Sequence, residues 1–307
     1  MNDARTELDL TEFGSGTVLS IGNFLIGIKI EDLRTAREFG ALYLGYPREN
    51  SQAFTDFNLA LKLRRPPSVC FASRLQIRID GIAEFMHVTR DHGVPLLESA
   101  MNWCLGTRIN RTMIIHSAVL ERDGFGLLLP GMSGSGKSTL SACLVGQGWR
   151  LLSDEAALID LDDHLVYPHP RPISLKNESI DIIAERYPDW QRSPLYKETT
   201  KGTVTYLKAP TEAVGKARVP ATPALILFPK FIAEETSRVA RLDKVDAFMN
   251  LQKQSTNYRF LLDRGFEVLT KVVEGCDHAI LYFSDLNRAL ELIESAWADS
   301  LSHKAQR

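Results

Sequence analysis

The apolar positions of this chain change period several times, and each change predicts an element. "GTVLSIGNFLIGIKI" and "SRLQIRIDG" alternate apolar and polar residues or carry β-branched runs, which predicts strands. "EDLRTAREFGALYLG" between them has helical spacing. Leu96, Leu97, Ala100, Met101, Cys104 and Leu105 share one face of a further helix. Phe125 to Leu129 then reads as a buried strand. Ser138 to Val145, with Leu140, Cys143 and Leu144 at helical spacing, reads as a helix stopped near Gly146 and Gly148. "RLLSDEAALIDLDDHLVYP" predicts a short strand, Arg150 to Ser153, ending at Asp154, and a strand pair turning through Asp162 and Asp163. "TPALILFPKF" is another buried strand and "GFEVLTKVVEG" a helix. "HAILYFS" is a last strand, after which Ser284 or Asp285 caps a helix with Leu286, Ala289, Leu290, Ile293 and Trp297 on one face.

Strands alternate with helices from about residue 106 onward, the pattern of an α/β domain, whereas the earlier part is a strand-rich α+β region. The predicted division is therefore 1–105, of unknown role, and 106–307. The basic cluster "KLRRP", Lys62 to Pro66, reads as a solvated strand edge rather than a phosphate site.

Composition narrows the picture. The chain of 307 residues is 44% hydrophobic and 24% charged with a net charge of −2, so nothing points to a nucleic-acid or membrane partner. The start, "MNDARTELDL", is acidic and polar where a secretory signal needs a basic end and an apolar run. No stretch approaches the length of a membrane span, and the chain reads as cytoplasmic. Cys70, Cys104, Cys143 and Cys276 are scattered without a C-x-x-C pair and read as buried free thiols, and the histidines His164, His169, His278 and His303 have no ligand spacing.

The chemistry concentrates in "LLLPGMSGSGKST". Gly131, Met132, Ser133, Gly134, Ser135, Gly136, Lys137, Ser138 and Thr139 include the G-x-x-x-x-G-K-[ST] pattern of a P-loop, and the strand–loop–helix order is what that pattern requires. Glycines let successive backbone N–H groups turn toward phosphate oxygens at the positive end of a helix dipole. Lys137 would reach the β- and γ-phosphates, Ser138 would help hold Mg²⁺, and Thr139 would make a weaker contact.

Two further groups are carried to this loop. "RTMIIHSAVLERDGFGLLLPG" contains two apolar runs joined at Asp123-Gly124, a strong hairpin signal, and a two-residue turn there sets His116 opposite Gly131. Asp154 and Glu155 follow the short strand after the loop helix, at the carboxyl end where ligands sit in open α/β sheets. One carboxylate suits proton removal from an attacking hydroxyl and the other suits magnesium. Arg171, Lys176, Glu178 and Lys201, in "PHPRPISLKNES" and "KGTVTYLKAP", read as surface charges, with contact to phosphate, metal or substrate as the alternative.

His116, the loop and Asp154-Glu155 resemble, in order and spacing, the catalytic domain of HPr kinase/phosphorylase, a bacterial serine kinase with a P-loop. The landmarks "NWC…HSAV…GMSGSGKSTL…LLSDE…RPISLKN…KG" are similar to those of the group called HprK-related kinase A. The resemblance implies an HPr-kinase-like P-loop fold for the second part, with Asp154 as proton acceptor, His116 in the active site, and Lys137 and Ser138 as phosphate lysine and magnesium ligand. Glu155 stands where the kinase has a second aspartate. The family's later Glu-Ile-Arg-Gly signature is absent, with Glu178 in roughly that region, so the resemblance implies a kinase without naming its acceptor.

The resulting expectation is an ATP- and Mg²⁺-dependent kinase acting on a serine-type hydroxyl of a peptide or protein. Asp154, His116 and Lys137 are its catalytic residues and Ser138 and Glu155 its metal residues. A homo-oligomer is compatible with it. The rivals are a P-loop ATPase acting as a nucleotide-dependent switch, and a small-molecule kinase. Against the switch, no L-S-G-G-Q or N-K-x-D motif occurs and only two leucines precede Ser153-Asp154-Glu155.

Overall fold

The structure, a computed structural model, describes residues 12–50, 52–64, 73–83 and 88–306. The polar start, Cys70 and the Arg65-Pro66 end of the basic cluster lie outside them. The chain is mixed α/β and divides into two compact units. One holds the residues up to Leu105 together with Ser174–Gly215, and the other holds Gly106–Ile173 and Lys216–Arg307. The segment Ser174–Gly215 thus groups with the N-terminal residues rather than with the loop.

In the first unit, a sheet runs in the order Arg48–Glu49, Thr17–Ile21, Phe24–Ile30, Phe57–Arg64, Arg74–Ile79, Ile82–Ala83. The helix Leu33–Leu42 starts at Asp32, whose side chain accepts the Thr35 N–H at 3.1 Å. The described part of the basic cluster, Lys62–Arg64, has a strand neighbour on one side only, in line with the strand-edge reading. Phe57–Leu61 pairs on one side with Ile26–Ile30, and Leu59–Arg64 pairs on the other with Arg74–Ile79. Only Lys62–Arg64 outrun the first neighbour, and there Glu31 takes its place, accepting from Lys62 Nζ at 2.6 Å and Leu63 N at 3.0 Å. A second, three-stranded sheet joins Ile173–Lys176, Gly202–Leu207 and Tyr196–Thr199.

The second unit is built on a six-stranded sheet ordered Arg150–Ser153, Ser117–Arg122, Phe125–Pro130, Thr222–Phe231, Asp277–Phe283, Arg238–Arg241. Its central strands are buried on both faces: Leu127, Leu128 and Leu129 are each 0% exposed, as expected where helices cover a parallel core. Asp123 and Gly124 both take left-handed backbone, φ +54° and +82°, which gives the two-residue turn whose twist matches the flanking strands. The register that follows pairs Phe125 with Arg122 and Pro130 with Ser117, as the sequence implies. Glu121 ties this hairpin to the next strand, accepting from Gly124 N at 2.6 Å and pairing with the buried Arg150.

The first apolar run of the hairpin is not one strand. Thr112–Ile115 leaves to pair with Ala157–Asp160 in a separate three-stranded sheet, and only Ser117–Arg122 joins the larger one. His116 is the hinge between them. Its N–H donates to Gln254 O at 2.8 Å, while Asn257, 0% exposed, accepts from Ile114 N and donates to the carbonyls of Ile109 and Thr112.

The predicted C-terminal elements stand as Thr222–Phe231, Tyr258–Gly275, Asp277–Phe283 and Leu286–Ala305. Asp285 caps the last helix by accepting Arg288 N at 2.7 Å, and Ala289, Leu290, Ile293 and Trp297 are buried. The helix Lys244–Gln254 and the strand Arg238–Arg241 lack a clear sequence period. Cys104, Cys143 and Cys276 are buried free thiols. Among the described residues no helix is long and apolar enough to cross a membrane.

On the last helix, Glu294 accepts from Arg122 Nη1 at 2.7 Å and Nη2 at 2.9 Å, and from Trp149 Nε1 at 3.1 Å. Burial pushes its carboxyl up, but these hydrogen bonds and the Arg122 charge outweigh it and hold the group below the usual carboxylate range. A depressed carboxylate stabilises the fold above the unfolded value, near pH 4.3, and that contribution is lost as pH falls through the folded value. The wild type's margin in thermal midpoint over Glu294→Gln is therefore expected to stay constant above about pH 5 and to shrink below it. A margin that does not shrink on acidification overturns this reading.

Candidate functional site

The strand Phe125–Pro130 ends in the glycine loop, and the helix Lys137–Gly146 begins directly after Gly136. Gly134 and Gly136 take φ of +87° and +92°, backbone that L side chains rarely adopt. A Cβ on Gly136 would also lie 2.5 Å from Phe283 Cζ, whereas one on Gly134 would meet nothing within 4 Å. The first of these glycines is needed for its backbone alone, the second also for space.

Lys137 is buried to 7% exposure, and its ammonium donates to the carbonyls of Gly131 and Met132. A fixed positive charge thus sits across the loop at the N-terminal end of a helix, where the backbone amides add to it.

The acidic pair is turned toward the loop. The strand Arg150–Ser153 ends, and the Ser153 hydroxyl accepts from Ala156 N at 3.1 Å and Glu155 N at 3.4 Å, a tight local turn typical of a serine. That turn sends the two acids to different partners. Asp154, 3% exposed, accepts a hydrogen bond from the Ser138 hydroxyl at 2.9 Å. Glu155 goes to His116: its carbonyl lies 3.0 Å and its Oε2 3.7 Å from His116 Nδ1.

His116 reaches the loop as the hairpin implies, with its carbonyl accepting Gly131 N at 3.4 Å. The route of Asp154 differs from expectation. The strand before it does not border the loop strand, since Ser117–Arg122 lies between, antiparallel to both. The two outer strands still point the same way, so both carboxyl ends open on one edge and the acid meets Ser138 across a gap of one strand.

The remaining candidates separate. Arg171 is 6% exposed, so the surface-charge reading is wrong for it, and His169 beside it is 1% exposed with its N–H on Leu152 O at 2.8 Å. Lys176, Glu178 and Lys201 belong to the first unit, where "KNE" and "KGT" meet through Asn177, which takes φ +51° and accepts Thr203 N at 3.2 Å. Sequence reasoning missed Gln254 and Asn257, the anchors of His116, and Phe283, which packs under Gly136. The polar positions of "QSTNY", Gln254 to Tyr258, between two helices carry no period that would reveal an anchor, although an asparagine at a helix start is a known capping signal.

The donor set fits a magnesium-bound nucleotide. Ser138 gives its hydrogen to Asp154, which leaves hydroxyl lone pairs for a hard cation, and both carboxylates lie at the loop's edge. Among the described residues no group of three or more His, Cys, Asp or Glu is placed to hold a metal ion.

The fold and loop define a mixed α/β protein with a glycine loop at a helix N-terminus and an acidic pair beside it. No family model matches the chain. It is similar to the HPr kinase/phosphorylase of Bacillus mycoides, 34% identical over 89 residues, which cover 26% of this chain and 29% of that protein. It is also similar to those of Bacillus velezensis and Bacillus subtilis, each 28% identical over 158 residues, 44% of this chain and 51% of theirs. The matches thus span about half, or less, of the length of these curated relatives. At this modest identity the similarity supports an HPr-kinase-like family.

Proposed function

We propose that the second unit is the core of an ATP- and magnesium-dependent kinase that transfers the γ-phosphoryl group to a serine-type hydroxyl of a peptide or protein. The observation that carries this reading is the 2.9 Å hydrogen bond from Ser138, next to the loop lysine, to Asp154. It supports a role for this carboxylate beside the loop, where a terminal phosphate and an acceptor alcohol would meet. The relatives named HPr kinase/phosphorylase support transfer to a protein rather than to water.

Asp154 would take the proton of the acceptor hydroxyl as its oxygen bonds to the γ-phosphorus and the bond to the β–γ bridging oxygen breaks, leaving ADP. Lys137 and the loop amides would stabilise the negative charge that spreads over the phosphoryl oxygens. His116, held by Glu155, would keep that acid oriented at the loop's edge. Bound magnesium would neutralise phosphate charge, with Ser138 and Glu155 as the residues to hold it or its waters.

Incubation with γ-labelled ATP and a bacterial lysate tests this. The expected result is label on a peptide or protein, stable as a phosphate ester and dependent on magnesium. Label released only as inorganic phosphate favours a nucleotide-driven switch, and label on a small molecule moves the acceptor out of the protein class; either outcome overturns the proposal.

A further inference from the structure

Resting on that nucleotide reading, we infer that Phe231 and Ile232 form the subsite for the nucleotide's aromatic base. The carboxylate flank fixes the direction of the ligand. Ser138 and Asp154 mark where the cation and the terminal phosphates belong, on the side of the sheet leading to Arg150–Ser153. A nucleotide laid along the loop then extends its base the other way, over Thr222–Phe231 and Asp277–Phe283.

The first of those strands ends in exposed apolar surface, and the second ends in the buried Phe283 beside it. Thr222–Phe231 runs parallel to the loop strand with Leu128 level with Ile226, so its last residues stand beyond the point where the chain leaves Pro130. Pro229 Cδ lies 3.8 Å from the Cβ position of Gly131, which puts Lys230 and Phe231 past the start of the loop. Phe231, the last residue of the strand, is 50% exposed and Ile232, just after it, is 42% exposed.

The surface is joined to the loop through Phe283. Phe283 packs under Gly136 and holds the Phe231 ring edge-on at a centroid distance of 5.6 Å. The Ile232 N–H donates to Phe283 O at 2.9 Å, which fixes the turn that leaves the strand. A rigid aromatic face beside a phosphate cradle is what an unsaturated heterocycle needs for stacking, and stacking accepts any base. The subsite therefore recognises a nucleobase by its flat face rather than by its hydrogen-bonding edge.

The test compares ATP with inorganic tripolyphosphate, which carries the phosphates without a base, by titration calorimetry in magnesium buffer. The wild type is expected to bind ATP more tightly than tripolyphosphate. Phe231→Ala is expected to weaken ATP about tenfold and leave tripolyphosphate unchanged. Phe231→Tyr, which keeps the ring, is expected to keep ATP affinity. Equal ATP affinity in the wild type and Phe231→Ala overturns the subsite while leaving the nucleotide reading intact. Parallel loss of tripolyphosphate means the ring props the loop, and overturns it too. If the wild type binds neither probe, the nucleotide reading itself fails and takes this inference with it.

Discussion

Asp154→Asn is expected to lower phosphoryl transfer by about 10²–10⁴-fold, the usual contribution of a positioned proton acceptor, while ATP binds within a few-fold of the wild type. The asparagine amide oxygen can still accept the Ser138 hydroxyl that Asp154 accepts at 2.9 Å, so the loop keeps its shape. What the substitution removes is the negative charge and the basic lone pair. Because the same carboxylate braces Ser138, the magnesium concentration for half-maximal rate should also rise. Transfer to the labelled acceptor, measured against magnesium, reads both effects. Loss of nucleotide binding with no separate effect on the rate would show that Asp154 serves the loop's structure and not the chemistry.

Gly136→Ala is expected to do the second largest damage, and Gly134→Ala is its control. Both positions hold left-handed backbone, φ +92° and +87°, so each alanine stores strain of about 1–3 kcal/mol. Only at 136 would the new methyl also meet an aromatic ring, 2.5 Å from Phe283 Cζ. That ring is 3% exposed and has little room to retreat. Either the loop or the strand end must move. Gly136→Ala is therefore expected to lower the thermal midpoint and abolish measurable ATP binding, with Gly134→Ala affected less on both. Equal effects of the two substitutions would mean that backbone strain alone matters and that the Phe283 contact is inconsequential.

Much of the loop's surroundings is legible in the sequence. Asp123-Gly124 demands two left-handed residues in succession, and once that turn is set the pairing of Pro130 with Ser117 follows by counting, which places His116 by Gly131. The glycine loop and the helix after it were legible for the same reason: glycine, lysine and hydroxyl residues act on the backbone within a few positions. The terminal helix showed itself through the spacing of Ala289, Leu290, Ile293 and Trp297 and the cap at Asp285.

The break at His116 was not legible. Thr112–Ile115 and Ser117–Arg122 are both apolar, and nothing in their composition says that they enter different sheets; the hydrogen bonds that Ile114 N and His116 N donate to Asn257 and Gln254, more than a hundred residues away, decide it. The burial of Arg171 escaped the sequence as well, because a charged residue among prolines reads as solvated unless its tertiary surroundings are known.

By itself, then, the sequence determined the turn, the cradle, the helix that follows it and the presence of an acidic pair, since each depends on dihedral preferences and hydrogen bonds within a few residues. Tertiary structure alone decided that the strand Ser117–Arg122 separates the loop strand from the acids, that Asp154 faces Ser138 while Glu155 faces His116, and that Phe283 lies under Gly136. Strand order and side-chain partnership across a sheet are set by burial and closure over the whole chain, and no local preference encodes them.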